Sequence, residues 1–190
     1  FPSNKILKKK EIYVGNYFND KALPNSYDEN ENLIKILLIG GSAGSLELND
    51  LLIDKLKNTD KDLNDKIKLF VQIPSLYLKD YESKYLKLLK NISFFTFKND
   101  INYNDYDLIL SRSGSGSLND ILYNTNSVFF LPHMHSRDGH QKLNLNYFKK
   151  YNQSLDDFKI PLNKKIPDNY FFNNLINPFS INKIVCYITK

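Results

Sequence analysis

The sequence predicts an α/β fold, an open sheet of parallel strands with helices packed on its faces. Short apolar runs alternate along the chain with segments of helical periodicity, and several of these runs stop at glycine or proline. No apolar run approaches the roughly 18 residues that a membrane-spanning helix needs. The 190 residues, of which 42% are hydrophobic, fit one domain spanning 1–190 with a substantial core.

The first strand is predicted at 34–39, a nearly continuous apolar run of the kind found in buried parallel strands. After a glycine-rich loop, leucines and isoleucine recur at helical spacing over 46–56. The other predicted strands are 68–73, 92–97, 107–111 and 127–131, and the other predicted helices are 78–90, 117–123 and 140–151. Strands that alternate with helices over short loops predict a Rossmann-like open parallel sheet with right-handed crossovers.

Charge and cysteine content exclude some classes of protein. The net charge is +5, but the lysines are spread along the chain and no basic-aromatic motif of a nucleic-acid reader is present. We therefore expect no nucleic-acid partner. The single cysteine, Cys186, cannot form an internal disulfide, which suits a reducing compartment.

The rare residue types cluster. The seven glycines fall in four short segments, the two arginines lie beside two of these, and the three histidines lie between residues 133 and 140. Three of the segments, 40–44, 112–116 and 132–141, each follow a predicted strand directly. Because ligands of open α/β sheets bind outside the carboxyl ends of the strands, these segments predict one polar site.

The segment Gly40-Gly41-Ser42-Ala43-Gly44 lies between a predicted strand and a predicted helix. One interpretation is a plain tight turn. The other is an anion-binding loop, in which backbone N–H groups, the positive end of the helix and the Ser42 hydroxyl hold a phosphate. The segment is neither a complete Walker A motif nor a G-x-G-x-x-G fingerprint.

The segment 111–120 opens a second helix toward the same edge. Its serines, Ser113, Ser115 and Ser117, could donate to a second phosphate. Asp120 has two interpretations. Ser117 and Asp120 fit the capping-box pattern S-x-x-D, and a carboxylate at this place could also accept both hydroxyls of a ribose.

The segment 132–144 is rich in polar groups. A metal site built from His133, His135 and Asp138 is conceivable, but the irregular loop gives no firm ligand geometry, and we expect no metal. Gln141 and Asn144 are three residues apart, hence on one helix face, where their amides could hydrogen-bond vicinal sugar hydroxyls.

Taken in order, these segments resemble the MurG family, bacterial transferases that add N-acetylglucosamine to lipid I to give lipid II. The family pattern is a G-N-P-V-R stretch, a G-G-S-x-G loop, an F-x-x-D-M segment, R-S-G-A, and P-x(7)-H-Q-x-x-N. The matches are Gly15-Asn16, the segment 40–44, the segment 97–101, Arg112 to Ser115, Pro132, His140-Gln141 and Asn144. The order and spacing of these motifs extend from residue 1 to about residue 150.

The resemblance implies the C-terminal, donor-binding half of a GT-B glycosyltransferase that uses UDP-N-acetylglucosamine. It implies that Ser42 contacts the diphosphate, that the backbone at Lys98 meets the uracil, and that Gln141 holds the sugar. Arg112 and the helix ends would stabilise the departing UDP without a metal or other cofactor. The substrate-binding residues implied by the resemblance are Gly41, Ser42, Gly44, Lys98, Arg112, Ser113, Ser115, Gly116, Ser117, Asp120, His140, Gln141 and Asn144.

Some positions depart from the family pattern. The arginine after G-N-P-V is Asn19 here, the ribose-binding glutamate is the shorter Asp120, and an H-Q-S/T-G turn keeps only Gln72. The family's N-terminal domain, with the expected catalytic base and acceptor groove, is not in this chain. We therefore expect the chain alone to be inactive. A missing domain or a partner chain would bring the lipid-linked acceptor. We expect the protein to bind peripherally at the cytoplasmic face of the membrane. The alternatives are the catalytic subunit of a split dolichol-type transferase, a non-catalytic nucleotide-sugar-binding remnant, and a related UDP-sugar epimerase half.

Overall fold

The computed structural model describes residues 33–98, 100–124, 128–133, 136 and 139–147. The strands in this part of the chain form one parallel sheet in the order β3-β2-β1-β4-β5. They are β1 (Ile34–Ile39), β2 (Ile67–Gln72), β3 (Asn91–Phe95), β4 (Leu108–Ser111) and β5 (Val128–Phe130). The helices are α1 (Leu46–Lys57), α2 (Lys61–Asn64), α3 (Leu78–Tyr85), α4 (Ser115–Asn124) and α5 (His140–Tyr147). The predicted Rossmann-like open parallel sheet is confirmed.

Several predictions concern residues outside this part of the chain. They are the family match at Gly15 and Asn16, the departure at Asn19, two members of the conceivable metal site, His135 and Asp138, and the segment from 148 to 190. These stay predictions. Of the helices that the structure describes, none combines the length and the apolar character needed to cross a bilayer.

Alternate residues of β1 enter two hydrophobic clusters, one on each face of the sheet. Ile36 and Leu38 pack with apolar residues of α1 and α3, whereas Leu37 and Ile39 pack with apolar residues of α4 and α5. Successive side chains of a strand point to opposite faces, so a continuous apolar run is buried only when both faces are covered. The two helical layers therefore account for the unbroken apolar run of the central strand.

The chain reverses its direction of travel across the sheet at β1. It first winds through α1 to β2 and through α3 to β3 on one face, then returns past β1 to β4 and continues through α4 to β5 on the other face. The returning segment packs on the second face, where Tyr106 lies edge-on against Phe70 with ring centroids 5.3 Å apart. Ligands bind outside the carboxyl ends of strands at such a reversal. Here these ends are Ile39 of β1 and Ser111 of β4, which are paired in register.

Two predicted helix boundaries are wrong, and hydrogen bonds explain why. The helix after β4 begins at Ser115 rather than Ser117, because the N–H of Leu118 already donates to the carbonyl of Gly114 at 2.8 Å. Ser117 thus lies inside the first turn, and the capping-box interpretation of Ser117 and Asp120 is wrong. The helix predicted at 78–90 ends at Tyr85, whose carbonyl accepts from both Leu88 and Leu89 in a closing turn.

The central strand provides a test of this packing. Leu38 is fully buried, so Leu38→Ala should lower the free energy of unfolding by about 2–5 kcal/mol through lost burial and a residual cavity. Leu86→Ala is the matched control, because Leu86 is 60% exposed and its truncation should change stability by less than about 0.5 kcal/mol. Urea unfolding followed by circular dichroism measures both. Equal effects of the two substitutions would contradict the described core.

Candidate functional site

A polar cleft of about 280 Å³ opens where the carboxyl ends of β1 and β4 meet. Three segments form it: the loop after β1 with the first turn of α1, the loop after β4, and the segment from β5 to α5. Its lining residues are Gly40, Gly44, Ser45, Leu46, Glu47, Arg112, His133 and Gln141. The predicted convergence of three post-strand segments at one edge of the sheet is therefore present in the structure.

The 40–44 loop turns sharply between β1 and α1, and its glycines are required by geometry. Gly44 has φ +74°, a left-handed conformation that strains other residues. A Cβ on Gly40 would lie 2.3 Å from the backbone nitrogen of Ser45, so no side chain fits there. Ser42 is exposed at the tip of the loop. The loop leads directly to Ser45, the N-cap of α1, so the positive end of that helix faces the cleft.

Arg112 is the buried connection between the three segments. It is only 6% exposed and has five N–H donors, all of which are bonded within the protein. Nε and Nη2 donate to the Ser45 hydroxyl at 3.2 and 3.0 Å, and Nη1 donates to the backbone carbonyls of Leu131 and Pro132 at 3.2 and 3.1 Å. Nη2 also pairs with the carboxylate of Glu47. Contact of Arg112 with a departing diphosphate, as predicted, would require one of these bonds to break.

The loop after β4 is held from α5. The Ser113 hydroxyl is buried and donates to the Gln141 carbonyl at 2.9 Å, while the Ser113 carbonyl accepts from Asn144 Nδ2 at 2.9 Å. The loop then enters α4, where Ser115 and Gly116 are exposed in the first turn. The N–H groups of a first turn have no acceptor within their own helix. A second positive helix end thus flanks the same edge of the sheet.

Gln141 and Asn144 do not act as a pair on the cleft. Gln141 lines it and its Oε1 accepts from the backbone N–H of His133 at 2.8 Å. Asn144 is 5% exposed and bonded to Ser113, so it fixes the loop after β4 and does not line the cleft. His140 is exposed at the start of α5.

Of the predicted site residues, Gly44, Arg112 and Gln141 line the cleft, and the others do not. Lys98 and Asp120 are two of those that do not. Lys98 is exposed just beyond the end of β3, and β2 separates that strand from β1. Asp120 lies in the second turn of α4 beside Tyr103. Burial, and then the charge of Asp120, raise the pKa of Tyr103 to about 12. Tyr103 remains a neutral hydroxyl next to this carboxylate across the physiological pH range.

The sequence prediction did not assign Ser45 and Glu47, which line the cleft, to the site, and it gave no role to Gln72, which contacts the 40–44 loop. Ser45 carried a signal, since a serine directly before an apolar helical pattern is typical of an N-cap. Glu47 is an acidic residue in a first helical turn, a common feature that carries no functional information. Gln72 is 2% exposed at the end of β2 and contacts the 40–44 loop. Within the described residues no three His, Cys, Asp or Glu side chains are placed to hold a metal ion.

The role of Arg112 can be tested by stability. Arg112→Lys keeps the charge but cannot make five forked hydrogen bonds, so the free energy of unfolding should fall by about 1–3 kcal/mol. Glu47→Gln keeps an acceptor at a half-exposed position and should cost less than about 1 kcal/mol. Chemical denaturation measures both. An Arg112→Lys variant as stable as the unchanged chain would refute the proposed connection.

Comparisons with known proteins relate this chain to glycosyltransferases. The model of the glycosyltransferase family 28 C-terminal domain matches residues 35–160. A relative from Wolbachia sp. subsp. Brugia malayi, named UDP-N-acetylglucosamine--N-acetylmuramyl-(pentapeptide) pyrophosphoryl-undecaprenol N-acetylglucosamine transferase, is 26% identical over 152 residues, covering 78% of this chain and 44% of the relative. A relative of the same name from Pelagibacter ubique is 26% identical over 177 residues, covering 92% of this chain and 47% of the relative.

The crystal structure of Acinetobacter baumannii MurG superposes with a TM-score of 0.57 at 20% identity, over 86% of this chain and 49% of that one. The predicted fold class, half of a GT-B architecture, is thereby confirmed. The chain spans less than half the length of these two curated relatives. The match to the family model covers the central sheet and the cleft, and the chain belongs to the glycosyltransferase family 28 C-terminal domain family.

Proposed function

We propose that this chain binds UDP-N-acetylglucosamine and is the donor half of an inverting transferase. The whole enzyme would move N-acetylglucosamine to a lipid-linked acceptor, converting lipid I to lipid II in peptidoglycan synthesis. The names of the curated relatives support this substrate pair. They also favour the bacterial enzyme over the split dolichol-type transferase.

The observation that carries the proposal is the pair of helix N-termini at the strand reversal. α1 and α4 begin directly after the adjacent strands β1 and β4, one of them through the glycine-rich 40–44 loop. A helix N-terminus offers backbone N–H donors and a partial positive charge, so two of them side by side suit the two phosphates of a nucleoside diphosphate. Glycines at the bend let the backbone approach an anion closely.

The parts of the donor are assigned to residues by the chemistry of each side chain and by its position along the carboxyl edge of the sheet. Gly41, Ser42 and Gly44 would hold one phosphate, and the first turn of α4 from Ser115 through Gly116 to Ser117 would hold the other. Asp120, one turn further along α4, would accept from the ribose hydroxyls, and the backbone at Lys98 would meet the uracil. Gln141 and His140, at the start of α5, would contact the sugar.

Arg112, Ser113 and Asn144 act on the donor indirectly. Their hydrogen bonds are made within the protein and hold the surrounding loops in position. The positive helix ends would then provide the electrostatic stabilisation of the leaving UDP, and no metal ion is needed for that step.

We assign no catalytic base to this chain. The base and the acceptor-binding groove would come from a further domain or from a partner chain. An undecaprenol-linked acceptor resides in a membrane, so the enzyme would act peripherally at the cytoplasmic face, where nucleotide sugars are available.

Donor binding can be measured by thermal shift. At a UDP-N-acetylglucosamine concentration ten times the dissociation constant, the chain should be stabilised by about 1.4 kcal/mol, which raises Tm by about 3–5 °C. Ser42→Ala and Gln141→Ala should remove most of this shift. Ser83→Ala is the matched control, because Ser83 is exposed on α3 and bonds only its local backbone among the contacts described. The absence of any shift at millimolar donor would refute the proposal.

The ribose assignment predicts a change in nucleotide preference. If Asp120 accepts from the ribose hydroxyls, the unchanged chain should bind UDP more tightly than 2′-deoxy-UDP. Asp120→Asn should reduce that preference by about tenfold, the equivalent of one charged hydrogen bond. Asp54→Asn, at an exposed position on α1, should leave the preference unchanged. Calorimetric titration gives the six dissociation constants of the three proteins for the two nucleotides, and an unaltered ratio in Asp120→Asn would exclude this role.

A further inference from the structure

We infer that Gln72 is a positioning residue that sets the 40–44 loop in its anion-binding form. The inference rests on the proposed function, because it concerns how the donor's diphosphate is held. Gln72 is the last residue of β2, the strand beside β1, and it is 2% exposed. A buried amide at the end of a strand must be fully hydrogen-bonded, because an unpaired one is costly.

All three hydrogen-bonding groups of this amide are used. Oε1 accepts from the backbone N–H of Gly40 at 2.8 Å. Nε2 donates to the carbonyl of Gly41 at 2.8 Å and to the carbonyl of Thr96 at 3.1 Å. A flipped amide would lose all three bonds, so its orientation is fixed. The side chain therefore ties the loop after β1 to the loop after β3.

The amide acts as a substitute for a peptide group of β2. At Gly40 the chain leaves the sheet, and the Gln72 side chain supplies both the acceptor and the donor that a neighbouring strand would have supplied. The Gly41 carbonyl is thereby held toward the sheet. In a trans peptide the C=O and the following N–H point in opposite directions, so the N–H of Ser42 is turned away from the sheet. The diphosphate of the proposed donor would approach the loop from that side.

Gln72 is itself fixed from α1 and α3. The side chain of Asn49 donates to the Gln72 carbonyl at 3.1 Å and to the Ser45 carbonyl at 2.8 Å, and it accepts from the Tyr85 hydroxyl at 3.0 Å. Asn49 and Tyr85 are both fully buried. The loop thus rests on a buried polar network whose contact with the glycines is the Gln72 amide.

The test separates loop geometry from general stability. Gln72→Glu keeps the acceptor for Gly40 but loses both donors, and Gln72→Met keeps the length and loses every bond. The control is Asn64→Ala, because Asn64 is 6% exposed, lies before the opposite end of β2, and donates a buried amide bond to the Leu56 carbonyl at 3.0 Å. Each variant is made in the full 190-residue chain. Urea unfolding at several temperatures gives the free energy of unfolding of each variant and identifies a temperature at which all of them are folded.

Affinity for UDP-N-acetylglucosamine is then measured by calorimetry at that temperature. Both Gln72 variants should bind at least about tenfold more weakly than the unchanged chain, whereas Asn64→Ala should bind within about twofold of it. Amide hydrogen exchange of the peptide covering the 40–44 loop should be faster in the Gln72 variants without ligand, and unchanged in Asn64→Ala. This exchange readout remains informative if one Gln72 variant is too unstable to titrate.

The outcomes distinguish the two proposals. If the unchanged chain binds the donor and the Gln72 variants bind it equally well, the positioning role is wrong and the proposed function stands. If affinity falls in proportion to lost stability in all three variants, including Asn64→Ala, Gln72 is only a structural residue. If the unchanged chain does not bind the donor, the proposed function fails and this inference fails with it.

Discussion

The site depends on the hydrogen bonds of the Arg112 guanidinium. Three chain segments that are remote in sequence meet at the carboxyl edge of the sheet, and two of them present side-chain or backbone acceptors to Arg112 of the third. From the loop after β4, one planar group with five donors bonds to both of the other segments. A flexible ammonium has three donors from one atom and cannot make this set of contacts. The cleft therefore has a wall built around a buried arginine whose donors are bonded within the protein.

Buried amides serve the same purpose elsewhere in the site. Gln72 bonds the loop after β1, Asn144 bonds the loop after β4, and Asn49 joins α1 to β2 and α3. Each replaces a peptide partner at a place where the backbone leaves regular structure. An arrangement of this kind fixes the backbone N–H donors of the loops before a ligand arrives. Binding then costs less conformational entropy, because the loops are already ordered. The cleft combines glycines that permit the bends with amides that hold them.

The fold could be predicted from local sequence because buried parallel strands have a distinctive apolar pattern, as at 34–39. The position of the site followed from the placement of the glycine segments after those strands. The bonding of Arg112 could not be predicted, since its partners Glu47 and Ser45 are 65 and 67 residues away. The start of α4 was misplaced because a run of alternating serine and glycine permits several caps. Asn144 was expected to line the cleft together with Gln141. Helical spacing shows which residues share a face of a helix, but it does not show what that face packs against.

The parallel pairing of β1 with both β2 and β4 has a consequence for how the protein folds. The unit from β1 through α1 to β2 is local, whereas β4 joins β1 across a gap of 72 residues, as in the bond from the Lys35 N–H to the Asp107 carboxylate. Contacts that are distant in sequence form more slowly, because the intervening chain must be confined first. The glycine loop can thus be shaped early. The cleft is complete only once β4 has paired with β1, so the donor binding proposed above should report the slowest tertiary step.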